Sequence, residues 1–135
     1  MMSNSKREPI NFSDLRLKKG SGQNLHDPIR GFYWHIMFAN ERVGKVYIDF
    51  ISNEILGVHP SLDIFINKNF QGRHIGRYAY EMACIESELD TVYMHTRKSN
   101  IGSIRAAEEA GFVRLDHPEF RQMVMVWKKN NHTKS

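Results

Sequence analysis

Phe70-Gln71-Gly72-Arg73-His74-Ile75-Gly76-Arg77 is the stretch whose reading decides the fold. Ahead of it stands Leu62-Asp63-Ile64-Phe65-Ile66, an apolar run of strand length. Behind it, Ile75, Ala79, Met82, Ala83 and Leu89 fall near one stripe at helical spacing, which predicts a helix from Ile75 to Leu89, ended by Asp90. A turn between strand and helix leaves the first helical N–H groups without internal partners, at the positive end of the helix dipole. Such a turn suits a pyrophosphate. Gly72 and Gly76 let the backbone come close to that ligand, and Arg73 and Arg77 add positive charge. The competing reading is a plain glycine-containing turn with no ligand.

Working outward, Thr91 to Thr96 reads as the next strand. Ser99 can cap a second helix with Ile101, Ile104 and Ala107 on one side and Gly111 as its stop. Phe112–Leu115 and Met123–Trp127 close the chain as two strands. Upstream, Leu15–Lys18 alternates as a first strand, and Gly20 to Pro28 is broken by turn residues. Phe32, Trp34, Ile36 and Phe38 then share one face of an aromatic strand, and Val43 to Ile51 returns as its hairpin partner, with Val46, Ile48 and Phe50 inward. Asn53 to Pro60 reads as a connector. The order β, long loop, βββ, α, β, α, ββ predicts an α/β sandwich, mostly antiparallel before the central helix and with a crossover after it.

A chain of 135 residues allows one domain, residues 1–135, with flexible ends at 1–12 and 130–135. Hydrophobic content of 41% with 25% charged residues is that of a globular protein in water. No apolar run nears the roughly 20 residues of a membrane span, and Met1 to Arg7 lack the apolar core of a signal peptide, so the expected compartment is the cytoplasm. The single cysteine, Cys84, allows no internal disulfide and no metal cluster, and no metal is expected. Net charge is +4, with much of the excess in Lys6, Arg7, Arg16, Lys18 and Lys19 and in Lys128, Lys129 and Lys134. These read as solvated ends. Nucleic acid is not the expected partner, because no RNA-recognition aromatic motif, helix-turn-helix signal or zinc spacing accompanies the charge.

The pair of motifs in this chain resembles the GNAT (GCN5-related) N-acetyltransferase superfamily. Its R/Q-x-x-G-x-G/A turn is matched by Gln71 and Gly76, with His74 where the inner glycine is usual, and its N-x-x-S…G-F helix by Asn100, Ser103, Gly111 and Phe112. The likeness runs roughly from Tyr47 to Trp127, and the N-x-x-S pattern is similar to the branch acting on ribosomal-protein N-termini. It implies a GNAT fold, a mixed, mostly antiparallel sheet of six to seven strands flanked by helices. The family's N-terminal helical wall is shortened here, because Lys19 to Arg30 has no room for a helical hairpin. That side is expected to be open or covered by a second subunit, as in a homodimer.

The resemblance implies acetyl-CoA as cosubstrate. Gln71, Gly72, Arg73, His74, Ile75, Gly76 and Arg77 would hold its pyrophosphate, the Ile66 N–H its acetyl carbonyl, and Asn100 and Ser103 its pantetheine side. Ala107 stands where many relatives carry a tyrosine acid for the leaving thiolate. His95, at a strand end, occupies the position of a Glu or His base, and imidazole suits withdrawal of a proton from an amine. Glu54, His59 and Asp63 stay open as other bases, and a histidine packed against Tyr93 or Tyr33 is the structural reading of His95. The expected function is acetyl transfer from acetyl-CoA to a primary amine: a protein N-terminus, a lysine or a small amine. N-x-x-S and His95 tilt the acceptor toward peptides. The alternative is a non-catalytic module of the same fold that binds CoA or a protein.

Overall fold

The structure, a computed structural model, describes residues 11–20 and 31–131. The aromatic run becomes β2 (Phe32–Phe38), paired antiparallel with β1 (Leu15–Lys19) on one side and β3 (Glu41–Asn53) on the other. Asn53 Oδ1 accepts from the N–H groups of Ile55 and Leu56 at 3.0 and 2.6 Å and turns β3 into β4 (Gly57–Ile66). Helix α1 (Ile75–Ser87) crosses to β5 (Thr91–Thr96), which is parallel to β4. Helix α2 (Ile101–Glu109) then leads to β6 (Val113–Arg114) and β7 (Met123–Lys128). The seven strands of the described residues form one sheet in the order β1-β2-β3-β4-β5-β7-β6. Element order and class are those the sequence implies.

Several boundaries differ, each for a local reason. Strand β4 starts at Gly57, inside the expected connector, and carries Pro60 in its interior. Asn67 N–H donates to Val43 O at 2.8 Å, and the β3–β4 register runs unbroken from there. Alternation therefore makes Pro60–Phe50 a non-hydrogen-bonded pair, where a missing N–H costs the β3 ladder nothing. Helix α1 ends at Ser87, because Glu88 takes up a left-handed conformation (φ 62°) as its C-cap. Its buried stripe includes Tyr80, Cys84 and Ser87, while Met82 is only half-buried. Asn100, not Ser99, caps α2, and Ile101, expected inside, is 58% exposed. The strand expected over Phe112–Leu115 shrinks to Val113–Arg114. Ahead of β1, Asn11 Oδ1 caps the short turn Phe12–Asp14, and Phe12 meets the Tyr78 ring edge-on at 5.5 Å. The expected absence of a helical wall after Lys19 falls on residues 21–30, outside the described residues.

The sheet has two unlike faces. On one, Trp34, Ile36, Val46, Ile48, Leu62, Val92, Met94, Met125 and Trp127 pack with Ile75, Ala79, Tyr80 and Ala83 of α1 and with Ile104 and Ala107 of α2. The opposite parity places Tyr33, Tyr47, Asp49, Ser61, Asp63, Tyr93 and His95 together on the other face. Candidate chemistry therefore stands on the face away from the helices. Two residues of β4 test this two-sidedness, Leu62 at 1% exposed and Phe65 at 59%. Leu62→Ala should lower unfolding free energy by about 2–5 kcal/mol, and Phe65→Ala should change it by no more than about 0.5 kcal/mol. Urea denaturation of both variants checks the contrast.

Candidate active site

The turn between β4 and α1 is held by side chain as well as backbone. Gln71 Nε2 donates to the Ile66 carbonyl at 2.9 Å, closing the turn on the end of β4. Gly72 (φ 77°) and His74 (φ 68°) both adopt left-handed conformations on either side of Arg73. A β-carbon at position 74 costs energy there, yet the backbone still turns as a glycine would. Alternation of handedness is the pattern in which successive N–H groups can converge into a concavity that suits an anion. His74 also precedes α1 without a side-chain cap, so the first N–H groups of the helix face outward. Its ring Nδ1 stands 3.9 Å from Glu109 Oε1 at the end of α2, directed away from the turn. The Arg73 guanidinium lies over the Phe70 ring at 5.5 Å.

Gly76 has a second duty that its sequence did not reveal. A β-carbon built on it would come 3.3 Å from the Ala106 β-carbon and 3.7 Å from Ile66 Cδ1. Its small size lets α1 lie against α2 and the end of β4, independently of any ligand. The same two helices are tied by Tyr80 Oη and Ser103 Oγ, 2.6 Å apart. Burial pushes the Tyr80 hydroxyl up to about 12, so it keeps its proton. Asn100 Oδ1 accepts from Ser103 N–H at 3.2 Å, and its Nδ2 donates to Thr96 Oγ1 at 3.1 Å. Both residues expected beside the pantetheine arm are thus engaged in holding the start of α2. Ala107, where a tyrosine acid would stand, is 0% exposed and belongs to the core.

Strands β4 and β5 meet at one parallel bridge, Ser61 with Tyr93. The alternation that places Pro60 also places Ile66 in a non-hydrogen-bonded pair with Gly44, so the Ile66 N–H points away from β3, toward β5. Beyond the bridge the two strands share no further pairing among the described residues. An outward-facing amide, the start of α1 and the end of β5 therefore surround one split in the sheet.

On the β5 side of that split stands His95. Its Nε2 lies 2.9 Å from Nε2 of His59, whose Nδ1 lies 2.8 Å from the Gly57 carbonyl. Tyr93 meets the His59 ring edge-on at 5.1 Å. His95 thus pairs with a second imidazole, which in turn meets Tyr93. His95 also lines a pocket of about 510 Å³ with Glu54, Phe120, Glu119, Arg121 and Val124. Burial, and then the charge His59 can carry, hold the His95 imidazole below its usual 6.5. Among the four residues read as possible bases, His59, His95 and Glu54 come near this pocket. Asp63 stands exposed on β4, where partial loss of hydration pushes its carboxyl up. Asp49, unnoticed in the sequence, is raised by burial and by the Asp63 charge. The alternation of β3 opposite Val46 and Ile48 was the signal that could have found it. Cys84 is buried in the α1 core face with its thiol pushed well up, which suits a small packing residue.

A family model for the acetyltransferase (GNAT) family matches residues 3–112. The chain belongs to that family. It is, by class, an acetyl-CoA-dependent N-acetyltransferase. A search of curated proteins finds no match. Among solved structures, the dodecameric spermidine N-acetyltransferase from Vibrio cholerae superposes with a TM-score of 0.68 at 19% identity, over 89% of this chain and 96% of that one. The aminoglycoside acetyltransferase AAC(6')-Ib with paromomycin and acetyl-CoA gives 0.65 at 18% identity, over 79% and 71%. RimJ of Mycobacterium smegmatis, in complex with CoA-disulfide, gives 0.63 at 16% identity over 78% of this chain and 56% of its own. At these identities the likeness speaks for the fold, and it does not single out the ribosomal-protein branch.

The packing of Gly76 has a measurable consequence without any ligand. Gly76→Leu should lower the stability of the unliganded protein by about 1–3 kcal/mol, through overpacking against Ala106. Chemical denaturation in the absence of CoA checks it.

Proposed function

We propose that this protein moves the acetyl group of acetyl-CoA directly to a primary amine, with the cosubstrate in the β4–β5 split and the acceptor in the pocket beside His95. The single observation that carries the reading is the parting of β4 from β5 beyond Ser61–Tyr93, which leaves the Ile66 N–H facing the split. In this reading the Gln71–Arg77 turn and the N-terminus of α1 hold the pyrophosphate. The Ile66 N–H donates to the acetyl oxygen and stabilises the charge that gathers there when the amine attacks. Asn100 and Ser103 border the pantetheine arm, each exchanging an internal hydrogen bond to contact it.

The chemistry balances simply. An ammonium loses its proton to His95 through intervening water, since Ile66 lies five residues past the Ser61–Tyr93 bridge and His95 only two. The freed nitrogen pair forms the C–N bond at the acetyl carbon. The C–S bond then breaks and its electrons leave with sulfur. A thiolate is a far better leaving group than an alkoxide, so Ala107 in place of an acid does not stop the reaction. Glu54 and Glu119 at the pocket favour an acceptor that arrives as a cation. Peptide N-termini, lysine, spermidine and aminoglycosides are the classes to assay: the first because of N-x-x-S, lysine as another primary amine, and the last two because of the names of the fold neighbours. A cytoplasmic setting fits a cosubstrate of central metabolism. Amine-dependent release of CoA thiol from acetyl-CoA is the expected result. Tight CoA binding with no release for any amine would return the non-catalytic reading.

His95→Ala should cut kcat/KM by roughly a hundredfold while CoA affinity holds. Because burial disfavours the imidazolium, neutral His95 persists below the usual 6.5. Activity should therefore be full above that pH and fall as pH drops through a midpoint below it. A kcat/KM–pH profile with wild type and His95→Ala checks this; an acid limb unchanged in the variant would move the role to another group.

A further inference from the structure

Transfer as proposed uses His95 and leaves its buried partner without a task. His59 is 3% exposed, and both of its ring nitrogens are engaged. A carbonyl has no proton to give, so the contact with Gly57 O at 2.8 Å requires a hydrogen on His59 Nδ1. In the neutral ring, Nε2 is then a bare acceptor. Two bare nitrogens would repel at 2.9 Å, so His95 must donate its own Nε2–H across that gap. One lone pair is left in the pair of rings, on His95 Nδ1.

We propose that His59 is a positioning residue that fixes the ring and the tautomer of His95, so that Nδ1 is the atom that takes the acceptor's proton. The inference rests on the reading of His95 as the base. In the step, an ammonium N–H bond breaks with its electron pair kept on nitrogen, and a proton passes through the intervening water to His95 Nδ1. The resulting imidazolium still donates Nε2–H to His59, now through a charge-assisted bond, and later releases its proton to water. Gly57 gives the chain a firm end, since it pairs with Asn53 across the β3–β4 turn. Tyr93, edge-on to the His59 ring, limits its rotation. A free imidazole would sample both tautomers and many ring angles; this arrangement leaves one productive state.

The first measurement needs no acceptor. Nitrogen-15 NMR of the imidazoles in the full-length, ligand-free protein, with both rings neutral, should show His59 as the Nδ1–H tautomer and His95 as the Nε2–H tautomer. A His95 ring protonated at Nδ1 would overturn the proposal. The second measurement is kinetic, with acetyl-CoA and the panel of spermidine, kanamycin, lysine and a short peptide. His59→Phe should lower kcat about ten- to a hundredfold, with KM for acetyl-CoA within about twofold. His59→Gln, which offers an amide oxygen to His95, should recover most of that loss. In a His95→Ala background His59→Phe should have no further effect. Wild-type kcat in His59→Phe, or equal losses in the Phe and Gln variants, would overturn positioning while leaving the base in place. Full turnover in His95→Ala would overturn the base itself and the positioning role with it. If His59→Phe fails to fold, the Gln variant and the tautomer assignment decide the matter.

Discussion

The whole arrangement depends on a shortage of pairing between two strands. Along β4, alternate residues turn their N–H groups to β3, and those between turn theirs toward β5. Among the described residues only Ser61–Tyr93 joins β4 to β5 in the parallel sense. Backbone amides beyond that bridge need partners, since an unmet buried donor costs about 1–3 kcal/mol. Pro60 shows the same geometry from the other side, because it lacks an N–H at a position where none is asked for. Helix α1 starts where β4 ends, so its unpaired first turn and the β4 amide face one opening. On the proposed reading, a cosubstrate rich in acceptor oxygens would satisfy both.

Much of what the sequence suggests as ligand contact is already employed in holding this opening. Gln71 clamps the turn onto Ile66 O, Asn100 caps α2 and reaches Thr96, Ser103 joins Tyr80, and Gly76 lets the helices close on one another. These contacts fix the turn and the start of α2 before any ligand arrives, while Asn100 and Ser103 would each have to exchange one of them to touch a ligand. They also explain why a motif can persist in form with one of its glycines replaced. His74 accepts the left-handed backbone and the fold around it supports the strain.

Element order and class were legible because each long element repeats its signal: the 2-residue period of β2 and β3, the helical stripe of α1, the glycine-marked turn. The misplaced boundaries all rest on facts a local pattern does not carry. Pro60 argues against a strand unless the side facing β3 is known. Ile101 reads as core on a helical wheel, yet the first turn of α2 projects past the sheet into solvent. The site was half legible. His95 and His59 were each named as candidates from position and chemistry, but 36 residues separate them, and their contact exists only through the β4–β5 crossover. Asp49 was passed over because an acid within an alternating strand looks like ordinary solvent-facing polarity.

The distribution of charge, more than its sum, sorts the two substrates. A net +4 would by itself attract the phosphates of a nucleotide cosubstrate and repel a cationic amine. At physiological ionic strength, though, charges beyond about 8–10 Å are largely screened, so each site answers to its own neighbours. The α1 turn carries Arg73 and Arg77 together with the helix dipole. The pocket by His95 carries Glu54 and Glu119 against the single cation Arg121. On the proposed reading an anion is drawn to the turn and a cation to the pocket, and the acceptor must give up its positive charge to react. Proton removal is thus the step that the local electrostatics make hardest, since the same carboxylates that attract the ammonium also stabilise it. In that reading the half-buried His95 imidazole, which loss of hydration biases toward its neutral form, would accept that proton where a second carboxylate would only strengthen the attraction.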